Sequence, residues 1–152
     1  MANDSVLSGL TVSNTTNLAG SVIGVNNVSG ATIANSTLLI TGTSTDGSVV
    51  ILNGTVVDLT VTGNTLTAIS AGGMFSRTFG LQTHVATSAT NLTISGNSFD
   101  VTGANVNEAI SGDAGTSFVT DASIGNVLIN GSCTSAGATG FVSFTDGTTC
   151  GP

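Results

Sequence analysis

The chain has 152 residues, enough for one domain with a buried core. Charged residues make up 6%, against roughly 25% in an ordinary soluble domain. There is no lysine, and Arg77 is the one fixed positive charge in a net charge of −7. That balance excludes a nucleic-acid partner, which needs Lys and Arg to displace counterions, and an anionic membrane surface, which would repel the chain. The frequent Val, Ile and Thr and the single proline, Pro152, argue against disorder. The apolar runs, such as "TLLIT" and "SVVILNG", are far shorter than the roughly 20 residues of a membrane helix, so no membrane insertion is expected.

The opening "MANDSVLSGL" lacks a basic n-region and an apolar core and does not read as a secretory signal. That suits a chain whose leader is already removed, or a virion component made in the host cytosol. From there the sequence repeats itself. "GLTVSNT" (9–15) is followed by "GATIANS" (30–36), by "DLTVTGNTL" (58–66) and by "NLTISGNSF" (91–99). A degenerate copy, "NVLINGS", lies at 126–132. With the turn asparagines Asn14, Asn35, Asn64 and Asn97 as markers, the steps are 21, 29 and 33 residues.

Each copy alternates apolar and hydroxyl residues, as Leu59 and Val61 do against Thr60 and Thr62. Successive strand side chains point to opposite faces, so this period of two predicts strands with an apolar face and a hydroxyl face. The β-branched content agrees, and the fold class expected is all-β. Two architectures are compatible with it. In a β-solenoid (parallel β-helix-like), each phrase is a strand, the Gly-Asn or Asn-Ser pair is a corner, and Leu10, Ala31, Leu59 and Leu92 stack inside. In an antiparallel β-sandwich or jelly roll built of hairpins, Gly63-Asn64, Gly96-Asn97 and Asn53-Gly54 are two-residue turns. Register along the strands favours the solenoid; irregular spacing favours the sandwich. The solenoid is the first expectation and the sandwich its alternative, as a single domain over 1–152.

On these phrases the chain resembles, in architecture alone, the β-helical and β-sandwich proteins of bacterial surfaces and virus particles. The resemblance covers residues 9–132 loosely and carries no catalytic residue with it.

Candidate chemistry is sparse. Cys133 and Cys150 frame "CTSAGATGFVSFTDGTTC" and are expected to form a disulfide closing the C-terminal end at 133–150. His84 is the only histidine and lies in no nucleophile context. The acids Asp4, Asp46, Asp58, Asp100, Glu108, Asp113, Asp121 and Asp146 lack the Trp or Tyr platforms expected beside glycosidase carboxylates. "TDGS" (45–48), "GDAG" (112–115) and "TDGT" (145–148) read as Asp-Gly turns and not as calcium loops. The sequons at Asn3, Asn14, Asn27, Asn35, Asn53, Asn91 and Asn130 are what an Asn-, Ser- and Thr-rich chain produces by chance. No enzyme, metal or cofactor is expected.

The sharpest specific pattern is outward hydroxyls. Thr11-x-Ser13, Thr60-x-Thr62 and Thr93-x-Ser95, with Thr32 between them, would stack into a flat uncharged array. It resembles the Thr-x-Thr faces of β-solenoid antifreeze proteins, although Thr32-x-Ala34 and Leu128 break it. The function expected is therefore structural: a component of an extracellular assembly, first a virion decoration, fibre or spike module, with a bacterial or archaeal surface filament or adhesin as alternative. Ice binding through the Thr face is the ligand-binding alternative. The expected partners are copies of itself or other proteins of the assembly, with a host surface or ice as the alternatives.

Overall fold

A computed structural model describes residues 1–16, 19–42, 46–70, 77–84, 87–103, 105–112, 117–135 and 142–150, without the side chains of 117–122 and 133–135. The chain is a β-solenoid of about four turns, with parallel sheets and no helix among the described residues. The first coil is β1 (Val6–Ser8), β2 (Thr11–Thr16) and β3 (Gly20–Ser29). The second is β4 (Thr32–Ala34), β5 (Thr37–Gly42) and β6 (Asp46–Val57). The third is β7 (Thr60–Thr62), β8 (Thr65–Ser70) and β9 (Arg77–Thr83). The fourth is β10 (Ser88–Ser95), β11 (Ser98–Thr102) and β12 (Val106–Gly112), and β13 (Ser117–Ala122) pairs with β10 one coil further on. Then follow β14 (Val127–Asn130), β15 (Ser132–Ser135) and a hairpin of β16 (Val142–Ser143) with β17 (Thr149–Cys150).

Three faces result. One stacks β1, β4, β7 and the second half of β10; another stacks β2, β5, β8, β11 and β14. The third stacks β3, β6, β9, β12 and β15. β6 and β10 are long enough to turn a corner, which joins the first and third faces into one continuous sheet: residues 88–90 of β10 pair Thr55–Val57, and 93–95 pair β7.

The corners explain the repeated phrase. Gly9, Asn35, Gly63, Gly96 and Gly125 all have φ between 49° and 70°, and they form one column of left-handed residues between the first two faces. Glycine and asparagine adopt this conformation at least cost, which is why the phrase carries them there. The next residue in each coil is Leu10, Ser36, Asn64, Asn97 and Asn126. The last three are buried and stacked as an amide ladder. Asn64 Nδ2 donates to Asn97 Oδ1 at 3.0 Å, and Asn97 Nδ2 donates to Asn126 Oδ1 at 3.1 Å. Each oxygen also accepts the backbone N–H one coil earlier: Ser36 N to Asn64, Asn64 N to Asn97 and Asn97 N to Asn126. The remaining N–H groups reach the carbonyls of Ile33, Val61 and Ile94. Polar groups that leave water are thereby satisfied inside the corner.

The coil lengths follow from this column. Leu10 to Ser36 is 26 residues, Ser36 to Asn64 is 28, Asn64 to Asn97 is 33 and Asn97 to Asn126 is 29. The longest step is absorbed between β8 and β9 and between β9 and β10, so strand register is kept. Inside, apolar side chains align coil by coil: Ile33, Val61 and Ile94; Ala31, Leu59 and Leu92; Leu38, Leu66 and Phe99, all fully buried. Phe99 is larger than the leucines above it, and Gly80 makes the room. A Cβ at Gly80 would lie 2.7 Å from Phe99 Cδ1 and 2.6 Å from the Ala109 carbonyl oxygen.

Several sequence expectations are corrected here. The hairpin alternative fails at Gly63-Asn64 and Gly96-Asn97, which are corners between parallel strands. Asn53-Gly54 lies within β6, where Gly54 (φ 69°) kinks the strand. Leu10 does not stack with Ala31, Leu59 and Leu92. It sits in the corner column above Ser36 and is 46% exposed. Asn14 marks no corner; it lies in β2 and its Nδ2 donates to the Ser21 carbonyl. Asp46-Gly47 opens β6 in register with Arg77 and Thr78, so it is strand and not turn. Asp146 does form a turn, accepting the Thr148 N–H, while 113–115 lie outside the described residues.

The two ends differ. At the C-terminal end, Val142, Phe144 and Cys150 are buried beneath the last coil, and the Phe144 ring meets Phe99 edge-on with centroids 5.7 Å apart. At the N-terminal end, Val12, Asn14 and Thr16 of β2 are only half-buried, and among the described residues β2 pairs with β5 alone. Cys150 is disulfide-bonded, whereas the side chain of Cys133 falls outside the described ones.

Two outcomes are expected. Asn97→Ala strips the acceptor from two buried Asn64 donors and should cost about 3 kcal/mol, read from the urea unfolding midpoint. Intact mass before and after reduction and alkylation should reveal one Cys133–Cys150 bond, and its removal should cost about 3 kcal/mol.

Candidate functional site

The hydroxyl residues singled out from the sequence do not form one array. Thr32, Thr60 and Thr93 are register partners on the first face, and Ala34, Thr62 and Ser95 form the adjacent column. Thr62 Oγ1 and Ser95 Oγ lie 3.1 Å apart. Thr11 and Ser13 belong to the second face, where Thr11 pairs Thr37, which pairs Thr65, which pairs Ser98. That column carries a hydroxyl in four successive coils. Its neighbour does not, because Ser13, Leu39, Thr67 and Asp100 follow one another. The misplacement has a simple origin. "GLTV" at 9–12 and "DLTV" at 58–61 each begin on a left-handed residue, Gly9 or Asp58, but at two different corners.

Neither face therefore presents two unbroken hydroxyl columns. The first face is interrupted by Ala34 and headed by Val6, which is 70% exposed. A lattice-matched ice surface would need both columns to continue. Thermal hysteresis of a concentrated solution is accordingly expected to equal that of an inert protein control, with no faceting of ice crystals.

The chemically richest surface was not visible in the sequence. It is a groove of about 390 Å³ on the third face, lined by residues of β3, β6 and β9 with Ala19 and His84. It holds the only arginine and the only histidine of the chain. Arg77 clasps Asp46 with two bonds, Nε to Oδ1 at 2.7 Å and Nη2 to Oδ2 at 2.8 Å. The guanidinium carbon also lies 5.6 Å from the centre of the Phe79 ring. The pair is roughly half-exposed, so it contributes little to stability and mainly fixes the arginine in place.

Further along, Ser48 and Gln82 are both buried, and the Ser48 hydroxyl donates to Gln82 Oε1. Asn53 Nδ2 donates to Asn26 Oδ1 at 2.7 Å. His84 is exposed at the far end, its backbone N–H held by the Leu52 carbonyl. Ile51 and Gly24 occupy the same register row as Gln82. These residues meet because parallel in-register stacking places positions about one coil apart next to each other.

A second, more open groove of about 630 Å³ runs between β11 and β12 past Asn107, Asn130 and Ser132. Among the described residues, no group of three or more His, Cys, Asp or Glu could hold a metal ion. No described helix is long and apolar enough to cross a membrane. No family model matches the chain, and no curated protein or solved structure matches it significantly.

Proposed function

We propose that the chain is a non-enzymatic structural module of an extracellular assembly, with a virion component (capsid decoration, fibre or spike module) as the first reading. The observation that carries it is the N-terminal end of the solenoid. Among the described residues, β1 pairs only β4 and β2 pairs only β5, so each leaves one edge without a strand partner. Val6 and Leu10 are exposed beside those edges. Residues 1–4 lie along β3 instead: the terminal ammonium donates to the Gly24 carbonyl, and Asn3 Oδ1 accepts the Ser29 N–H.

Soluble proteins commonly guard such edges with lysine, and this chain has none. The other surfaces are hydroxyl- and amide-rich with few long charged side chains, so contact orders few flexible groups. A bacterial or archaeal filament subunit would use the same edge. The plug of residues 142–150 closes the core at the other end, which favours a module added to a particle over one polymerising end to end.

The test is association state. At micromolar concentration, sedimentation velocity and negative-stain microscopy are expected to reveal uniform oligomers. Leu10→Lys, Ser13→Lys and Thr15→Lys together, all on exposed edge positions, should return the protein to monomers with an unchanged circular dichroism spectrum. A wild-type protein that stays monomeric at every concentration and also when mixed with candidate particles would overturn the reading.

A further inference from the structure

We propose that the groove on the third face is a binding site for a neutral saccharide, a function separate from assembly through the N-terminal edge. The first observation is Gln82. Its residue is 4% exposed, its Oε1 is taken by Ser48, and its Nε2 donates to no described group. A buried amide donor without a protein partner is uncommon, and one lining an open groove is placed to meet an acceptor from outside.

The second observation is the alternation of polar groups beside it. Asn53 Nδ2 is used by Asn26 Oδ1, which leaves Asn53 Oδ1 as an acceptor and Asn26 Nδ2 as a donor without a described partner. The His84 ring, which can donate from one nitrogen and accept at the other, is likewise unengaged among the described residues. Such mixed donors and acceptors match hydroxyl groups, which both donate and accept. They do not match a carboxylate or phosphate, which only accept.

Charge points the same way. Arg77 is neutralised by the carboxylate it clasps, and the chain's −7 disfavours an anionic ligand. Ile51 and Gly24 supply a low, partly apolar floor, and a volume of about 390 Å³ lies within the range of about 300–1,000 Å³ usual for ligand pockets. The site is assembled from three coils, since Ser48 and Gln82 are 34 residues apart and Asn26 and Asn53 are 27 apart.

The experiment is a titration of isotope-labelled protein, followed by amide and imidazole NMR signals, with four probes: cellotetraose, maltotetraose, α-mannotetraose and chitotetraose. Tetragalacturonate serves as the charged comparison. At about 10 mM, a site with a dissociation constant of about 1 mM is nine-tenths filled. At least one neutral probe is expected to shift the Gln82 side-chain amide and the His84 ring, while tetragalacturonate shifts neither. Gln82→Met should weaken that binding at least tenfold. His84→Ala, at an exposed position, should weaken it severalfold with an unchanged circular dichroism spectrum. The proposal is overturned if no neutral probe shifts these signals, if the shifts fall elsewhere on the chain, if tetragalacturonate binds as well, or if His84→Ala and a folded Gln82→Met bind like wild type.

Discussion

Everything in this solenoid hangs on one corner, where a left-handed residue is followed by a buried amide. The left-handed residue turns the chain between two faces, and the amide behind it bonds to the same position one coil away. Because Asn97 and Asn126 each accept both a side-chain and a backbone N–H of the asparagine one coil earlier, a slip of register would break two buried bonds at each step. The aligned columns of Ile33, Val61 and Ile94 and of Leu38, Leu66 and Phe99 follow from that register. Hydrophobic burial supplies most of the driving force, and the corner decides where it is applied. Differences in coil length are taken up in the turns beyond the strands and in bulges within them, as between Asn26 and Val28, where the offset to β6 changes by one residue.

The same stacking accounts for the surface. A sequence with few charges builds faces of threonine, serine and asparagine whose spacing is set by the distance between coils. It also gathers scarce residues that are distant along the chain. Asp46 and Arg77, one coil apart, become a clasped pair, and Ser48 and Gln82 become neighbours. The groove on the third face is a product of register and not of any local motif.

That distinction marks what could be read from the sequence. Strand alternation in "DLTVTGNTL" and "NLTISGNSF" is local, so the all-β class is legible, whereas parallel corners and hairpin turns at Gly-Asn look alike in sequence and only the matched register of the two phrases favours the parallel pairing that the structure has. The first coil was misaligned because Gly9-Leu10-Thr11-Val12 imitates Asp58-Leu59-Thr60-Val61, although the two belong to different corners. Only the three-dimensional register separates them, since Thr11 pairs Thr37 while Thr60 pairs Thr32. The groove was illegible for a related reason: its residues share no phrase, and coil lengths of 26 to 33 residues hide which positions will meet. His84 lies two residues from Gln82, but nothing near them in sequence hints at Ser48, Asn26 and Asn53 beside them.

The asparagine stack also gives the molecule an electrical direction. Every amide in it points the same way, with C=O toward the N-terminal end and one N–H toward the C-terminal end, so their dipoles add along the axis, while the second N–H of each holds a carbonyl of the preceding coil. Aligned amides polarise one another, which strengthens each bond in a run of three. The positive end terminates on the Ser143 carbonyl of the closing hairpin, and the negative end on the Ser36 N–H. Reversing a single amide would set two oxygens against each other in a dry corner, so the row behaves as one polarised unit.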